Sequence, residues 1–535
     1  MTPTSQLCQS DLFKKRSEVL SREARVDLSY ERAKAIGLAL GITLHDTLHL
    51  TQKFWDMHTD PIMVLDGAAS TLLTIQYNLV AGTLAKYAAT TRPDLVSLVE
   101  DILRWNVSGQ FCLTELGRGL DIFRMKTSAT LLPTGEFDLH TPLPSDAKFM
   151  PPTVPVKGLP CVAIVFAQLL LPPRGGSSPV NHALTSFNHV RLPHSALLGD
   201  LAKSNTMHRD FMSSIWRVAV GSLAIGSIAI PNLQVGSYIA ARYFQRRHVT
   251  SVYGSPSPII SYRTQQLPLL HAIAQASVLR ALYKWGIERF MDKNLDVRVR
   301  HGVAACCKAV MIQHAQVANY ALSERLGAQG LFEYNRLSNL YSDVRGISIA
   351  EGDILGLSMR LVADTLAQTY ELPLSTHPDG PLALHEISLF DEATETVSSS
   401  SDFTQGFMQY VQPRCQLMVE SMGHRMAYDA AVDQRVSQCL VDLYLINAIK
   451  TDAAWYIERG MFTRKAIVHM EDVALSAALP RLDELLTAME VGPYVSSPII
   501  SDKCWEEFRK MLPVYSPPRA EAPAQPTLIL ERARM

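Results

Sequence analysis

The chain of 535 residues has no excess of either charge, no cysteine pattern and no long hydrophobic run. Its 50 lysines and arginines nearly balance its 51 aspartates and glutamates, so the charge does not predict binding to nucleic acid. The eight cysteines are scattered without a Cys-x-x-Cys pair, which argues against a disulfide framework or a zinc site and favours a reducing compartment. His45 and His49 share a helix face, but no third ligand accompanies them, so we predict no metal site.

Segments that direct a chain into a membrane are also missing from the sequence. The N-terminal residues contain no apolar core of the secretory type. The most apolar stretch, Val218–Ile230, is bounded by Arg217 and Pro231 and falls short of the roughly 20 apolar residues that a bilayer span needs. We therefore expect a soluble protein without membrane insertion, in which this stretch is one buried helix.

The sequence does contain alternating helical and extended textures. Apolar residues at helical spacing dominate most of the chain. In contrast, TSATLLPTGEFDLH has a Pro-Thr-Gly turn between two extended runs, and LPCVAIVFAQLLL suits a buried strand. These textures predict, in order, an N-terminal helical domain (1–110), a small β domain (111–200), a helix bundle (205–370), a linker (371–402), a C-terminal helical domain (403–512) and a mobile tail (513–535). The expected fold class is mainly α with a small inserted β domain.

Glu351 is the leading candidate for a catalytic residue. It lies in ISIAEGDILGL, after an apolar run and before a helix, and Gly352 allows a ligand to approach the backbone closely. A carboxylate whose pKa is raised by burial can remove a weakly acidic carbon-bound proton. From the local sequence alone, Glu351 and Asp353 equally suit a simpler role, which is to place negative charge at a helix start.

The order of several motifs along the chain resembles that of one known family. FCLTELGRGL contains a Thr-Glu-x-Gly turn, and SERLGAQG precedes ISIAEGDILGL, with FWDMHTDP, FNHVRLPHSALLGD and ARYFQRRHV between or before them. This ordered set resembles the acyl-CoA oxidase and acyl-CoA dehydrogenase flavoproteins over roughly residues 25–370. The additional C-terminal helical domain is what the oxidase branch of that family would imply.

The resemblance implies a function and an assembly. We expect a homodimer that binds FAD and desaturates an acyl-CoA to the trans-2-enoyl-CoA, with O2 as the acceptor and H2O2 as a product. Glu351 would be the base that takes the α proton. The flavin contacts implied by the resemblance are Thr114, Glu115 and Gly117 near the ring, Arg246 and Arg247 at the pyrophosphate, and the turn of Gly327, Gln329 and Gly330 at the neighbouring subunit's dinucleotide. We expect Thr153 to stand in for a backbone donor that is lost at Pro152.

Three departures from the family pattern leave alternatives open. Arg118 stands where a histidine is usual, Pro152 replaces a glycine and removes a backbone donor, and the β domain is short after FAQLLLPP. One alternative is a dehydrogenase that passes electrons to another flavoprotein, including one in a biosynthetic pathway. The other is a catalytically silent paralogue that binds CoA esters.

The last three residues bear on cellular location. Ala533-Arg534-Met535 follows the small-basic-Leu/Met pattern of the peroxisomal C-terminal signal. We therefore expect a peroxisomal protein, and a cytoplasmic one if this tripeptide is not recognised.

Overall fold

The computed structural model describes residues 2–119, 121–154, 158–169, 184–199, 211, 213–250, 254–400 and 402–512. Within these ranges, helices predominate, and most strands lie in one stretch of the chain, between residues 108 and 192. The predicted fold class, mainly α with a small inserted β part, is confirmed. The tail predicted for 513–535 lies outside the described residues, as does most of the short run after FAQLL.

The N-terminal part is helical and leads to a π-helical segment. Helix α3 shows how local sequence sets the boundaries: the Ser21 side chain accepts a hydrogen bond from the Ala24 N–H at its start, and Gly41 ends it with φ +59°. A π-helical segment, Ile75–Ala81, lies between α6 and α7. The helices are α1 (Pro3–Leu7), α2 (Asp11–Lys14), α3 (Arg22–Leu40), α4 (Leu44–His49), α5 (Gln52–Thr59), α6 (Gly67–Thr74), α7 (Gly82–Ala88) and α8 (Val96–Leu103).

The β part consists of short strands in small sheets. The predicted hairpin is confirmed, with β2 and β3 antiparallel, Leu131 opposite Phe137 and Gly135 at φ +84° in the turn. The strands are β1 (Ser108–Cys112), β2 (Ser128–Leu131), β3 (Phe137–His140), β4 (Lys148–Phe149), β5 (Cys161–Val165), β6 (Gln168–Leu169), β7 (Leu184–Thr185) and β8 (Val190–Leu192), then β9 (His248–Thr250) and β10 (Pro256–Pro258). Strand β1 pairs with β5, β4 pairs with β7, and a four-stranded sheet has the order β6-β2-β3-β8.

The prediction of a buried strand in LPCVAIVFAQLLL is only half right. Strand β5 forms there, but of its residues only Ile164 is buried, and Cys161 and Ala163 are exposed. Successive side chains of a strand point to opposite faces, and only one face of β5 packs on the core. The apolar composition therefore predicted the strand correctly and its burial wrongly.

The helix bundle comprises α9 (Trp216–Gly226), α10 (Ala229–Arg246), α11 (Arg263–Met291), α12 (Val297–Arg325), α13 (Leu337–Ile349) and α14 (Ile354–Leu366). The prediction that Val218–Ile230 is one buried helix is confirmed for burial, since residues 220–230 are all buried, but not for a single helix. The chain forms two helices, and Pro231 lies in the first turn of α10, where a missing N–H is tolerated. By length and composition the stretch Trp216–Arg246 could span a membrane, but 89% of its most apolar window is buried inside the protein.

The C-terminal helices pack on the bundle through a shared core. They are α15 (Pro381–Ser398), α16 (Phe403–Gly406), α17 (Cys415–Asp433), α18 (Gln438–Thr451), α19 (Ala453–Glu458), α20 (Arg464–Ala478), α21 (Leu482–Ala488) and α22 (Asp502–Met511). Helix α15 contradicts the linker predicted for 371–402. Pro381 starts the helix at a position that suits proline, and residues such as Leu382 and Val397 are buried, so tertiary packing outweighs the loop-like composition.

Candidate active site

Glu351 lies on a strained turn between α13 and α14. Its φ is +52°, a left-handed conformation that side chains other than glycine seldom adopt, and Gly352 follows with φ +104°. Three hydrogen bonds hold the turn: the Ser222 hydroxyl donates to the Glu351 carbonyl at 2.6 Å, and the Lys308 ammonium donates to the carbonyls of Ala350 at 2.5 Å and Gly352 at 2.6 Å. Strain that is held this firmly is typical of functional sites.

The Glu351 carboxylate also contacts a polar side chain from the N-terminal part of the chain. The Asn78 amide, on the π-helical segment, donates to Glu351 Oε2 at 2.8 Å and to the Arg217 carbonyl at 3.1 Å. Desolvation raises the pKa of Glu351 to about 8, although the Lys308 charge and the Asn78 hydrogen bond both act to lower it. The carboxyl group therefore has the proton affinity of a general base that works near neutral pH.

Gly221 makes room for this carboxylate. A Cβ at position 221 would lie 1.3 Å from Glu351 Oε2 and 2.8 Å from the Asn78 amide nitrogen. A side chain at position 221 would therefore have to displace the Glu351 carboxylate. Glycine in the middle of α9 is unfavourable for helix stability by about 1 kcal/mol relative to alanine, so close packing of the carboxylate is the physical reason for it here.

A pocket extends from the Glu351 turn between α9, α12 and α14. It has a volume of about 760 Å³, part of which is open solvent, and its lining includes Ser222 and Gly352. Apolar side chains such as Val218 and Leu357 form much of the wall. Ile215, which also lines the pocket, belongs to a small apolar cluster with Leu113 of the β part. One wall of the pocket, at Ile215, thus belongs to the same apolar cluster as Leu113, the residue before the Thr-Glu-x-Gly turn.

In the Thr-Glu-x-Gly turn, Thr114 and Glu115 differ in what they leave available for a ligand. Thr114 is half-buried, and within the described part of the chain its hydroxyl has no hydrogen-bond partner. The Glu115 carboxylate accepts from the N–H groups of Lys126 at 2.7 Å and Thr127 at 2.8 Å, and forms a buried ion pair with Lys148 at 3.1 Å. Glu115 therefore stabilises the β part through its side chain, and its carbonyl accepts from the N–H groups of Arg118 at 3.1 Å and Gly119 at 3.0 Å.

Gly117 and Thr153 are also engaged within their own chain. A Cβ at Gly117 would lie 2.8 Å from the Ser145 Cβ, and the Gly117 N–H donates to the Ser145 carbonyl at 2.6 Å. The Thr153 hydroxyl pairs with that of Thr185 at 2.7 Å, and its N–H donates to Pro151 at 2.8 Å. The Thr153 N–H is therefore used within its own chain, whereas its hydroxyl either donates to Thr185 or accepts from it.

The two arginines predicted at the pyrophosphate have different surroundings. Arg246 Nε donates to Asp502 Oδ1 at 2.5 Å, and its Nη1 donates to the Ile499 carbonyl at 3.4 Å. Arg247 is exposed, and the described residues offer its guanidinium no ion pair or hydrogen bond. Arg247 is therefore the more available of the two for an anionic ligand.

The glycine-rich turn has structural reasons for its residues. Gly327 has φ +61°, and a Cβ at Gly330 would lie 2.1 Å from the Ser323 carbonyl oxygen. Gln329 accepts two hydrogen bonds from the Asn335 amide, at 2.8 Å to its carbonyl and to its side-chain oxygen. Ser497 in turn donates to Asn335 at 3.2 Å. The short segment Ser497–Asp502 thus contacts Arg246 directly and reaches the turn through Asn335.

Four residues of the site were not predicted from the sequence: Asn78, Gly221, Ser222 and Lys308. A signal existed for Lys308, which stands alone in the apolar sequence ACCKAV, because a lysine on a buried helix face requires a partner. Asn78 within an apolar run gives the same kind of signal. Gly221 and Ser222 gave none, since small residues are common in buried helices.

The fold and site together define a class of protein. It is mainly helical with an inserted β domain, and a buried glutamate of raised pKa lies beside a largely apolar pocket. Its sequence matches the family described as acyl-CoA oxidase, C-alpha1 domain, over residues 221–364. This region contains Gly221, Ser222, Lys308 and Glu351.

Two curated relatives are acyl-CoA oxidases. The chain is 23% identical over 400 residues to acyl-coenzyme A oxidase acox-3 of Caenorhabditis elegans, covering 64% of this chain and 59% of that protein. It is 24% identical over 352 residues to putative acyl-coenzyme A oxidase 3.2, peroxisomal, of Arabidopsis thaliana, covering 57% of this chain and 51% of that protein. The matches therefore span between half and three fifths of the length of these relatives.

Solved structures show the same fold. Acyl-CoA oxidase 1 of Yarrowia lipolytica matches with a TM-score of 0.77 at 15% identity, covering 99% of this chain and 94% of that chain. Acyl-CoA oxidase-2 of Caenorhabditis elegans, solved with FAD, ascaroside-CoA and ATP, matches with a TM-score of 0.64 at 16% identity, covering 92% of each chain. Residues 221–364 thus resemble the acyl-CoA oxidase family in sequence, and nearly the whole chain shares the fold of the solved acyl-CoA oxidases.

Proposed function

We propose that this protein is an FAD-dependent acyl-CoA oxidase that converts an acyl-CoA to the trans-2-enoyl-CoA. The observation that carries the proposal is the state of Glu351. Its carboxylate is desolvated, bonded to Asn78, fitted against Gly221 and held on a left-handed turn beside the pocket. A carboxylate that serves only as a helix cap needs none of these features, and Asp353 already caps α14 by accepting from the Gly356 N–H at 3.0 Å.

The reaction requires a base for the α proton of the thioester. That carbon acid is weak, so a carboxylate of ordinary pKa would hold its proton poorly, whereas a pKa of about 8 favours the transfer. Oε2 is bound to Asn78, which leaves Oε1 to take the proton. The α C–H bond breaks, an O–H bond forms on Glu351, and the electron pair forms the new double bond as hydride leaves the β carbon.

FAD is the cofactor we propose for the hydride. The chemistry that bound FAD would supply is acceptance of the β hydride and transfer of the electrons to O2, which gives H2O2. The residues fit FAD at two points, since the Thr114 hydroxyl and the Arg247 guanidinium both lack partners in the described part of the chain. Arg246 would have to leave Asp502 to contribute.

The positions of these groups support a homodimer. Leu113, beside Thr114, packs near Ile215 just before α9, whereas Arg247 follows α10. A straight helix of the 31 residues Trp216–Arg246 is roughly 45 Å long at 1.5 Å per residue, which is longer than one dinucleotide. We therefore propose that each flavin takes its ring contacts from one subunit and its phosphate contacts from the other.

An absorption spectrum of the purified protein, supplied with FAD and titrated with acyl-CoAs under nitrogen, tests this proposal. Bleaching of bound flavin followed by rapid recovery and H2O2 formation in air is the expected result. Bleaching without rapid recovery would indicate a dehydrogenase that uses another flavoprotein. Absence of bound flavin, or of any bleaching, would favour the silent paralogue, an alternative consistent with the engagement of Arg246 and Thr153 by their own chain.

We propose a peroxisomal location for the protein. The tripeptide Ala533-Arg534-Met535 lies outside the described residues, and one of the matching relatives is named as peroxisomal. A peroxisome contains the H2O2 that the proposed reaction releases.

A further inference from the structure

Lys308 is a buried lysine in the middle of α12, directly beside the Glu351 turn. Its side chain is 0% exposed. Gly226 of α9 packs on its stem, since a Cβ there would lie 3.1 Å from the Lys308 Cα. The ammonium reaches the carbonyls on either side of Glu351, at 2.5 Å to Ala350 and 2.6 Å to Gly352. Lys308 is neither the proposed base nor one of the proposed flavin contacts.

A buried ammonium requires a counter-charge, because moving it from water into the protein costs several kcal/mol. The two carbonyls that it binds are neutral. The carboxylates that act on Lys308 are Glu351, which has the larger effect, and Asp353, which is engaged at the start of α14. Glu351 is therefore the principal negative charge available to Lys308.

Among the residues that the structure describes, the other polar side chains beside Glu351 do not take this role. Arg217 lies on α9 close to Gly221, but its guanidinium is directed to the Thr47 carbonyl and packs against Gly82. Asn78, on the π-helical segment, is uncharged. Lys308 is thus the positive charge that acts on the Glu351 carboxylate.

We propose that Lys308 is a positioning residue for the desaturation: its ammonium holds the left-handed turn that directs Glu351 and supplies the positive charge against which the Glu351 carboxylate ionises. This rests on the proposed role of Glu351 as the base. The neutral carbonyl contacts fix the geometry, and the charge lowers the pKa of the desolvated carboxyl group below the value that burial alone would give. Loss of the Lys308 ammonium should therefore affect both the turn and the ionisation of Glu351.

The ionisation can be measured without catalysis. The carbonyl band of protonated Glu351 is identified by infrared difference spectroscopy as the band that Glu351→Gln removes, and its midpoint is followed with pH. In Lys308→Met, which removes the charge and retains the stem, we expect the midpoint to rise by about one pH unit or more. Lys308→Arg, which keeps the charge, should lie closer to the wild type.

Lys148 provides the matched control. It is also 0% exposed and donates to two acceptors of its own chain, the Leu113 carbonyl and Glu115, both at 3.1 Å. Lys148→Met therefore removes a comparable buried ammonium. It should destabilise the protein and leave the Glu351 midpoint unchanged. If Lys308→Met does not fold, Lys308→Gln takes its place in the same measurement.

The activity of Lys308→Met gives a second readout. A base whose pKa is one unit higher is ionised about tenfold less below that pKa, so turnover should fall about tenfold near neutral pH and recover at alkaline pH. An unchanged infrared midpoint in Lys308→Met would overturn the proposal and leave Lys308 a structural residue. Failure of the wild type to bleach with any acyl-CoA would instead contradict the proposed function, while the infrared midpoint still tests the pairing.

Discussion

Glu351 and Gly221 are in such close contact that a side chain at position 221 would have to displace the Glu351 carboxylate. A Cβ there would lie 1.3 Å from Glu351 Oε2. The two residues come from different parts of the bundle, one from a turn and one from the middle of α9. The position of the carboxylate is therefore set by the helix that it packs on.

This contact predicts the effect of Gly221→Ala. The methyl group must displace the carboxylate, so we expect unfolding free energy to fall by about 1–3 kcal/mol and turnover to fall by about a hundredfold. The control is Gly346→Ala in α13, where a Cβ would meet nothing within 4 Å, and there helix propensity favours alanine. Denaturant unfolding and steady-state kinetics measure both variants. Normal turnover in Gly221→Ala would show that the position of Glu351 is not important for the reaction.

Glu351→Gln should retain flavin and lose nearly all desaturation, because an amide cannot accept the α proton. We expect turnover to fall by at least about 10²–10⁴-fold. Glu420→Gln is the matched control, since burial also raises the pKa of Glu420. It lies on α17, and we expect its turnover to be normal. Near-normal turnover in Glu351→Gln would exclude Glu351 as the base.

Retention of FAD should depend more on Arg247 than on Arg246. Arg247→Ala removes a guanidinium without a partner in the described chain, and we expect weaker binding in a flavin-release assay. Asp502→Ala frees Arg246 from an exposed ion pair of about 0.2–1 kcal/mol, so it should strengthen binding by at most about fivefold. Equal binding in Arg247→Ala and wild type would argue against this phosphate site.

Acid should destabilise the protein through its buried histidines. Desolvation lowers the pKa of His424 to about 3, against about 6.5 in the unfolded chain. Between these values the unfolded chain binds the extra proton, so unfolding free energy should fall with falling pH by up to about 1.4 kcal/mol per unit. His424→Gln should reduce this slope between pH 7 and 5 in urea titrations, and exposed His469→Gln should not. An identical slope in the wild type, His424→Gln and His469→Gln would show that His424 does not contribute to the destabilisation by acid.

Removal of Ala533-Arg534-Met535 should abolish peroxisomal import if these residues are the signal. A fluorescent protein fused to the N-terminus keeps the C-terminus free, and its location is compared with and without the tripeptide. Cytosolic fluorescence from the full-length fusion would contradict the proposed location and leave the enzymatic proposal intact.

The sequence by itself determined the helical fold class, the β2–β3 hairpin and the motif that contains Glu351. These depend on local information, such as the Pro-Thr-Gly turn and the spacing of apolar residues, which a short stretch of chain carries on its own. The sequence does not predict the helix in residues 381–398, because its composition is loop-like and only the folded core buries Leu382 and Val397.

Only the tertiary structure decided the chemistry of the site. Asn78 is 273 residues from Glu351, and Arg246 is 256 residues from Asp502. Local sequence therefore does not predict either pairing. The proton affinity of Glu351 is set by desolvation and by Lys308, and both effects arise only when α9, α12 and the π-helical segment pack together. Side-chain type is a property of the chain, whereas pKa and position are properties of the surroundings that folding provides.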